Sequence, residues 1–361
     1  MGEYKQPYTI SNIEIQRNDN QLTIRLANAS KSEYQLYVGR GPEAEKINKL
    51  LVTSSTGEFT VSLPVAEGPY YFLIKSGEFK TNIFSERVIQ LHGAINIRDM
   101  GGYETNDGKV TKWGLLFRGD QLSKLDTDDV KLLERMNLKT IVDYRSDHER
   151  NINPNVEIPS VANTYHCDPH SSFSEAAANA IDLHSENVKL VSALEKGEID
   201  PEYINGNGEN VIEDYRKLID SDEAKNAYGK FLRICADSEN IPLVHHCRGG
   251  KDRTGLGSMF LLLLLNVKEE EIIRDYVLTG IIRRERNQLK YQHYSALTSN
   301  QNYLDYLMAM IETREEYVKA SIDRLKELYE SVDAYMIQHF GLTEEQIERM
   351  REIYLEESVA K

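Results

Sequence analysis

Positive charge is in short supply in this chain: 43 Lys and Arg stand against 58 Asp and Glu, leaving a formal net charge of -15. Such a balance excludes a general nucleic-acid or anionic-membrane binder, which needs a basic surface to displace counterions. It leaves room for a local basic pocket in an acidic body. Cysteine is scarce too, with only Cys167, Cys235 and Cys247. Three scattered thiols exclude a disulfide framework and a zinc site, and at least one of them stays unpaired. Cys235, inside the helical pattern AYGKFLRICAD, reads as a small buried apolar residue. Long apolar runs are missing as well: the longest, residues 259–265, is too short to span a bilayer, and the opening MGEYKQPYTI has neither region of a signal peptide. The expectation is a cytoplasmic protein, or an exported one whose signal has already been removed.

What is present is a globular composition, 361 residues with 40% hydrophobic, long enough for two domains. From Tyr8 to about Gln90 the chain alternates apolar and polar residues in seven short segments (YTISNIEI, QLTIRLA, EYQLYVG, KLLVTSS, EFTVSLP, YYFLIKS and FKTNIFSERVIQL) separated by turn residues. In QLTIRLA, Leu22, Ile24 and Leu26 share one face and Thr23 and Arg25 the other. The spacing predicts an antiparallel β-sandwich of about 85 residues. It carries no catalytic constellation, and the sequence names no partner for it. An accessory domain over 1–90 and an α/β domain over 91–361 are the expected division.

The second part alternates strand and helix signals. LLFRG reads as a strand, DTDDVKLLERM as a helix with Asp126 or Thr127 as N-cap, and TIVDY as a buried strand. A helical insertion is expected at about 170–236, broken by INGNGEN. There follow a strand IPLVHH, a glycine-rich loop and the helix TGLGSMFLLLLLN, then helices to Glu357 with a capping-box signal at residues 343–346. This pattern predicts a parallel-rich sheet with helices on both faces.

Residues 245–255 read HHCRGGKDRTG. Strand-to-helix loops of such a sheet emerge where ligands bind. Gly249 and Gly250 allow unusual backbone angles, and the free N–H groups of the following helix point back into the loop, which makes an anion cradle suited to phosphate. A cysteine at its base, beside a helix N-terminus and the cations Arg248, Lys251 and Arg253, is placed to be a nucleophilic thiolate. Arg253 can fold across the loop and grip two phosphate oxygens. Thr254 can hydrogen-bond the sulfur and help it depart. A mere packing turn would need two glycines but not three cations, whose mutual repulsion asks for an anion.

The pattern H-C-x5-R-T, here HCRGGKDRTG, resembles the signature of cysteine-dependent phosphatases. Its G-K-D-R-T-G form is similar to the bacterial tyrosine phosphatases with lipid-phosphatase-like loops, of dual or triple specificity. NIRDMGGY at 96–103, LLFRGDQLSKL at 115–125, IVDYRSDHE at 141–149, DYVLTG and SVDAY look like further motifs of that family. The resemblance covers about residues 92–357 and leaves the sandwich outside. It implies a phosphomonoesterase acting on phosphotyrosine, with phosphoserine, phosphothreonine or phosphoinositides as further substrates. Cys247 would attack phosphorus, Arg253 would hold the phosphoryl group, and Arg248, Gly249, Gly250, Lys251, Asp252 and Thr254 would line the phosphate loop. Neither metal nor cofactor is implied.

An aspartic acid would protonate the leaving oxygen. Asp168, in TYHCDPH, looks like the family's position for it; Asp252 is the rival, and Asp143 and Asp120 are more distant candidates. Lys251 can serve extra substrate phosphates or only raise the local potential. The cluster IIRRERNQLKYQHY, with Arg283, Arg284, Arg286 and Lys290, can extend the basic patch or spend its charges in helical salt bridges. Arg98, Asp99, Arg118 and Arg145 read as groups that orient the loop, with substrate contact open to Arg98 or Asp99, and His246 as an orienter rather than a base. Two other functions compete: a phospho-ligand binding module with weak catalysis, and a thiol-dependent sulfurtransferase or arsenate reductase with Cys167 as resolving thiol.

Overall fold

A computed structural model of the chain describes residues 4–5, 12–30, 32–170 and 183–359. Two antiparallel sheets occupy the N-terminal part. The first has Tyr4–Lys5, Ile13–Asn18, Gln21–Leu26 and Glu58–Ser62 in that order; the second has Lys49–Ser54, Tyr34–Gly39, Tyr71–Ser76 and Phe79–Lys80, with Phe84–Ser85 also paired to Tyr71–Ser76. Leu22, Ile24 and Leu26 point inward as their alternation requires, into one apolar cluster with Leu36, Phe72 and Ile74 of the other sheet. The start of the first expected strand, residues 8–11, lies outside the described residues. The last expected strand is broken in two. Between the two pieces Thr81 still donates its amide to the Ile74 carbonyl at 3.0 Å, but its hydroxyl, where a strand carbonyl would otherwise serve, accepts from the Ile74 amide at 3.1 Å.

The second sheet system is mixed, in the order Arg98–Asp99, Leu116–Gly119, Leu243–His246, Thr140–Asp143, Asn163–His166. The last four strands are parallel and Arg98–Asp99 is an antiparallel edge. Both faces are covered. Leu116, Val142 and Leu243 bury against Phe231, Leu256 and Phe260, while Phe117, Ile141 and Val244 bury against Leu132, Leu133 and Leu138. This alternation places the end of Leu243–His246 at the centre of the sheet, with helix Asp252–Leu264 leaving from it.

Helix Thr127–Arg135 takes Asp126 as its N-cap, in a capping box with Asp129. Thr343 and Gln346 form the other expected capping box. Within the expected insertion, residues 171–182 lie outside the described residues, and the remainder holds helices Leu183–Glu195, Glu209–Asp220 and Asp222–Cys235. Among the described residues no helix is long and apolar enough to cross a membrane.

Phe260, on the helix behind the loop, is 1% exposed and touches the rings of Tyr228, Tyr335 and Phe340. Phe260→Ala should cost about 3–5 kcal/mol of stability, measured as a lower urea midpoint with an unchanged m-value.

Candidate active site

Strand Leu243–His246 delivers Cys247, 3% exposed, to the floor of the loop. Gly250 has φ +64, and a Cβ there would meet the Gly119 carbonyl at 2.6 Å, so only glycine fits. The carbonyls of residues 248, 249 and 250 are held by groups from outside the loop. Gln121 N donates to Arg248 O (3.3 Å), Asn96 Nδ2 to Gly249 O and Gly250 O (both 3.2 Å), Arg118 Nη2 to Gly250 O (2.8 Å), and Arg283 Nη1 to Gly249 O. A trans peptide whose oxygen points out points its N–H the opposite way. The amides of the loop therefore turn to its concave side, where the first turn of helix Asp252–Leu264 adds its own free N–H groups.

The groups that hold the carbonyls are themselves fixed by a buried ionic cluster. Asp275 accepts from Arg98 Nε (3.0 Å), from Tyr103 Oη (2.7 Å) and from Arg118 Nη1. Arg98 Nη1 donates to Asn96 Oδ1 at 2.6 Å, which aims the Asn96 amide nitrogen at the loop. Burial alone would raise the Asp275 pKa, but the charges of Arg118 and Arg98 outweigh it and hold the carboxyl well below its usual range. Of the expected orienting residues, Arg118 reaches the loop directly and Arg98 through Asn96. Asp99 does not: it accepts from the amides of Gly101 and Gly114, each 2.8 Å, and burial pushes its pKa up to about 7. Arg145 pairs with Asp143 at 2.8 Å and positions Asn155, which contacts His246 Nε2 at 3.1 Å; His246 Nδ1 lies 3.2 Å from the Cys247 carbonyl. Burial pushes the pKa of His246 down, so it orients as a neutral ring.

Arg253 is 3% exposed and grips Glu149 with both Nη atoms, at 2.6 and 2.8 Å; Nη1 also donates to the Tyr144 carbonyl at 3.1 Å. Burial works against its charge, yet the Glu149 hydrogen bonds raise its pKa above the usual arginine value. Glu149 is placed by helix Asp147–Ile152, where it closes a capping box on Ser146. Two buried atoms, Arg253 Nε and Thr254 Oγ1, have no protein partner among the described residues. Buried donors left open in this way fit a ligand in the loop.

Lys251 and Asp252 turn away from free roles. Lys251 Nζ donates to the Met310 carbonyl at 2.6 Å and lies 3.3 Å from Asp252, whose carboxylate also accepts from Tyr215 Oη at 2.8 Å. Arg248 pairs with Glu186 at 2.7 Å. Asp168 follows the edge strand Asn163–His166, and its charge is one of those felt by Arg253; its carboxylate accepts the His170 amide at 3.0 Å. Asp143 is fully buried against Arg145, and Asp120 accepts the Asn96 amide at 3.0 Å. Cys167 is buried and its thiol is pushed up to about 12, chiefly by that burial, which makes it a poor resolving nucleophile. His92, Asp126 and Asp129 come close enough to suggest a metal, but the carboxylates are already engaged by the amides of residues 92, 93, 126, 128 and 129.

Sequence reasoning passed over three residues that matter here: Asn96, Glu149 and Asp275. Each sits inside a quoted motif, and Ser146 with Glu149 even shows the S-x-x-E spacing of a capping box. Nothing local announces their partners.

A model of the tyrosine phosphatase family matches residues 89–356. The chain is similar to the triple specificity protein phosphatase PtpB of Mycobacterium tuberculosis, 23% identical over 282 residues that cover 74% of this chain and 99% of that protein. It is also similar to a protein of Cupriavidus necator named as a tyrosine-protein phosphatase, 24% identical over 67% of this chain and 80% of the other.

Asp275→Asn should leave two buried guanidinium groups short of charge and cost about 3–5 kcal/mol, read as a fall in urea midpoint. The pH dependence should follow. Folding lowers the Asp275 pKa, so between the folded and unfolded values the folded chain binds fewer protons; the contribution is full above the unfolded value of about 4 and is lost as pH falls below it. The Asn variant should lose that acid-side slope relative to the parent.

Proposed function

Because the chain belongs to the tyrosine phosphatase family and is a phosphatase, we propose that it hydrolyses phosphotyrosine through a cysteinyl-phosphate intermediate, with phosphoserine, phosphothreonine and phosphoinositides as further substrates. The observation that carries this reading is the position of Cys247 at the floor of a loop whose carbonyl oxygens at residues 248, 249 and 250 are held by Gln121, Asn96 and Arg118.

The phosphoryl group sits among the inward amides, with Arg253 alongside. Glu149 fixes the Arg253 guanidinium edge-on, so that its Nε, which lacks a protein partner, and the far side of the fork are preorganised for equatorial phosphate oxygens. The Cys247 thiolate attacks phosphorus in line; a sulfur–phosphorus bond forms as the phosphorus–oxygen bond of the ester breaks. Asp168 gives its proton to the departing oxygen. Water then attacks the thiophosphate, Asp168 takes the proton back, and the Thr254 hydroxyl, also without a protein partner, donates to the leaving sulfur. Asp252 is a weaker candidate for the acid because its carboxylate is already engaged by Lys251 and the Tyr215 hydroxyl. Phosphoprotein substrates suit the family and the names of both relatives. Residues 1–90 are best taken as an accessory domain outside the chemistry, and 91–361 as the catalytic domain.

Cys247→Ser should abolish phosphate release from para-nitrophenyl phosphate while keeping phosphate binding, measured by titration calorimetry. Asp168→Asn should lower kcat by about 10²- to 10⁴-fold on phosphotyrosine peptides and least on para-nitrophenyl phosphate, whose leaving group hardly needs a proton. A harmless Asp168→Asn beside a crippled Asp252→Asn would transfer the acid role to Asp252.

A further inference from the structure

Helix Arg284–Leu297 and the residue before it carry Arg283, Arg286, Lys290 and Tyr294 on one face, at helical spacings of three, four and four residues. That face looks onto the catalytic loop. Arg283 Nη1 bonds the Gly249 carbonyl, and a Cβ on residue 249 would come within 2.6 Å of that nitrogen, so the first loop glycine makes way for an arginine. Lys290 Nζ lies 2.8 Å from Glu186 Oε1, and Arg248 lies 2.7 Å from Glu186 Oε2. Glu186 is thus shared by two cations, Lys290 and Arg248. Among the described residues, neither Arg283 nor Arg286 has a carboxylate within salt-bridge distance; the polar contact Arg286 makes is with Asn287 Oδ1, at 3.5 Å. The salt bridges that the sequence allowed for this cluster do not form at these two positions.

Like charges crowded together at half-buried positions repel one another unless an anion joins them. Burial, and after it the charge of Arg283, pushes the Arg286 pKa down to about 10. We propose that Arg283 and Arg286, beside the catalytic loop, form a second anion subsite that receives a further phosphate carried on a residue next to the phosphotyrosine of a peptide substrate. This rests on the phosphotyrosine phosphatase reading. A peptide is favoured over a lipid headgroup in a membrane because a body of net charge -15 is repelled by an anionic surface, whereas a short doubly phosphorylated segment needs only a local basic patch. Arg286 is the discriminating residue, since Arg283 also holds the loop.

The test compares kcat/KM on a monophosphorylated tyrosine peptide and on the same peptide with a second phosphate on the adjacent residue. The wild-type enzyme should favour the doubly phosphorylated peptide by about tenfold, as one charge-assisted contact allows, through a lower KM. Arg286→Gln should bring the ratio close to one, and Arg286→Lys should restore part of it. A wild-type ratio near one, or a ratio that Arg286→Gln leaves intact, overturns the subsite. A preference seen only with a soluble phosphoinositide bisphosphate, and not with the peptide, overturns the choice of substrate. Para-nitrophenyl phosphate separates the two levels: no turnover there sinks the phosphatase reading itself, while turnover with a ratio of one sinks only the subsite.

Discussion

A loop that binds an anion with its amides has to keep its carbonyl oxygens away from that anion, and this requirement organises much of the surrounding structure. Left to themselves, the peptide units of a glycine-containing loop would turn either way. Here Asn96, Arg118, Arg283 and the Gln121 amide each take a carbonyl from the outer side. Two of these holders are cations in or near a dry interior, and buried charge is costly unless it is paired. Asp275 supplies the pairing for Arg118 and, through Arg98, sets the direction of Asn96. Helix Glu269–Ile282, which carries Asp275, is thus tied to the loop by charge as well as by apolar packing.

The same logic of preorganisation applies to Arg253. A long, flexible cation loses rotamer freedom when it binds a ligand, and that cost falls if the protein has already fixed it. Glu149 fixes it with two hydrogen bonds and leaves Nε open. The arrangement suits a site in which interactions are needed most in the transition state, because no reorganisation is required when the charge on phosphorus shifts. Thr254 offers a second open donor from the next position on the same helix.

How much of this was legible in the sequence depends on distance along the chain. The loop is compressed into eleven residues, and strand, glycines and helix start are all local signals, so Cys247, Arg253 and Thr254 could be singled out at once. The sandwich strands were legible by their alternation, because one face is buried and the other is not. By contrast, Arg98 and Asp275 are separated by 177 positions, and Arg253 and Glu149 by 104. Charge pairs of that kind are created by the fold and leave no period in the sequence. Lys251 shows the reverse limit: its neighbours suggested a ligand for extra phosphates, and only the approach of helix Gln301–Ile311 gives it the Met310 carbonyl instead. Thr81 is similar, a polar residue in a strand pattern whose side chain competes with the ladder it interrupts.

The sandwich meets the site through the same edge strand that starts the relay to the loop. Gly114, just before strand Leu116–Gly119, packs against Tyr71 and Pro42 of the sandwich, and it is the absence of a Cβ that permits the approach. Arg87, in the link between the two parts, lies over the rings of Tyr103 and Trp113 and donates to the Asp99 carbonyl at 2.8 Å. Tyr103 in turn donates to Asp275. At the far end of the chain, Leu355–Glu357 pairs with Lys109–Thr111, and Asn82 of the sandwich bonds the Glu357 carbonyl at 2.9 Å. The strand Arg98–Asp99 is only two residues long, with Leu116–Gly119 on one side. On its other side the segment that leaves the sandwich pairs with it, through the Val88–Arg98 bridge, the Ile89 amide to the Ile97 carbonyl and the Asp99 amide to the Arg87 carbonyl, both 2.9 Å. Contacts of the sandwich and of the segment that follows it thus converge on the neighbourhood of Asp99 and, through Tyr103, on the Asp275 carboxylate that holds Arg118 and Arg98.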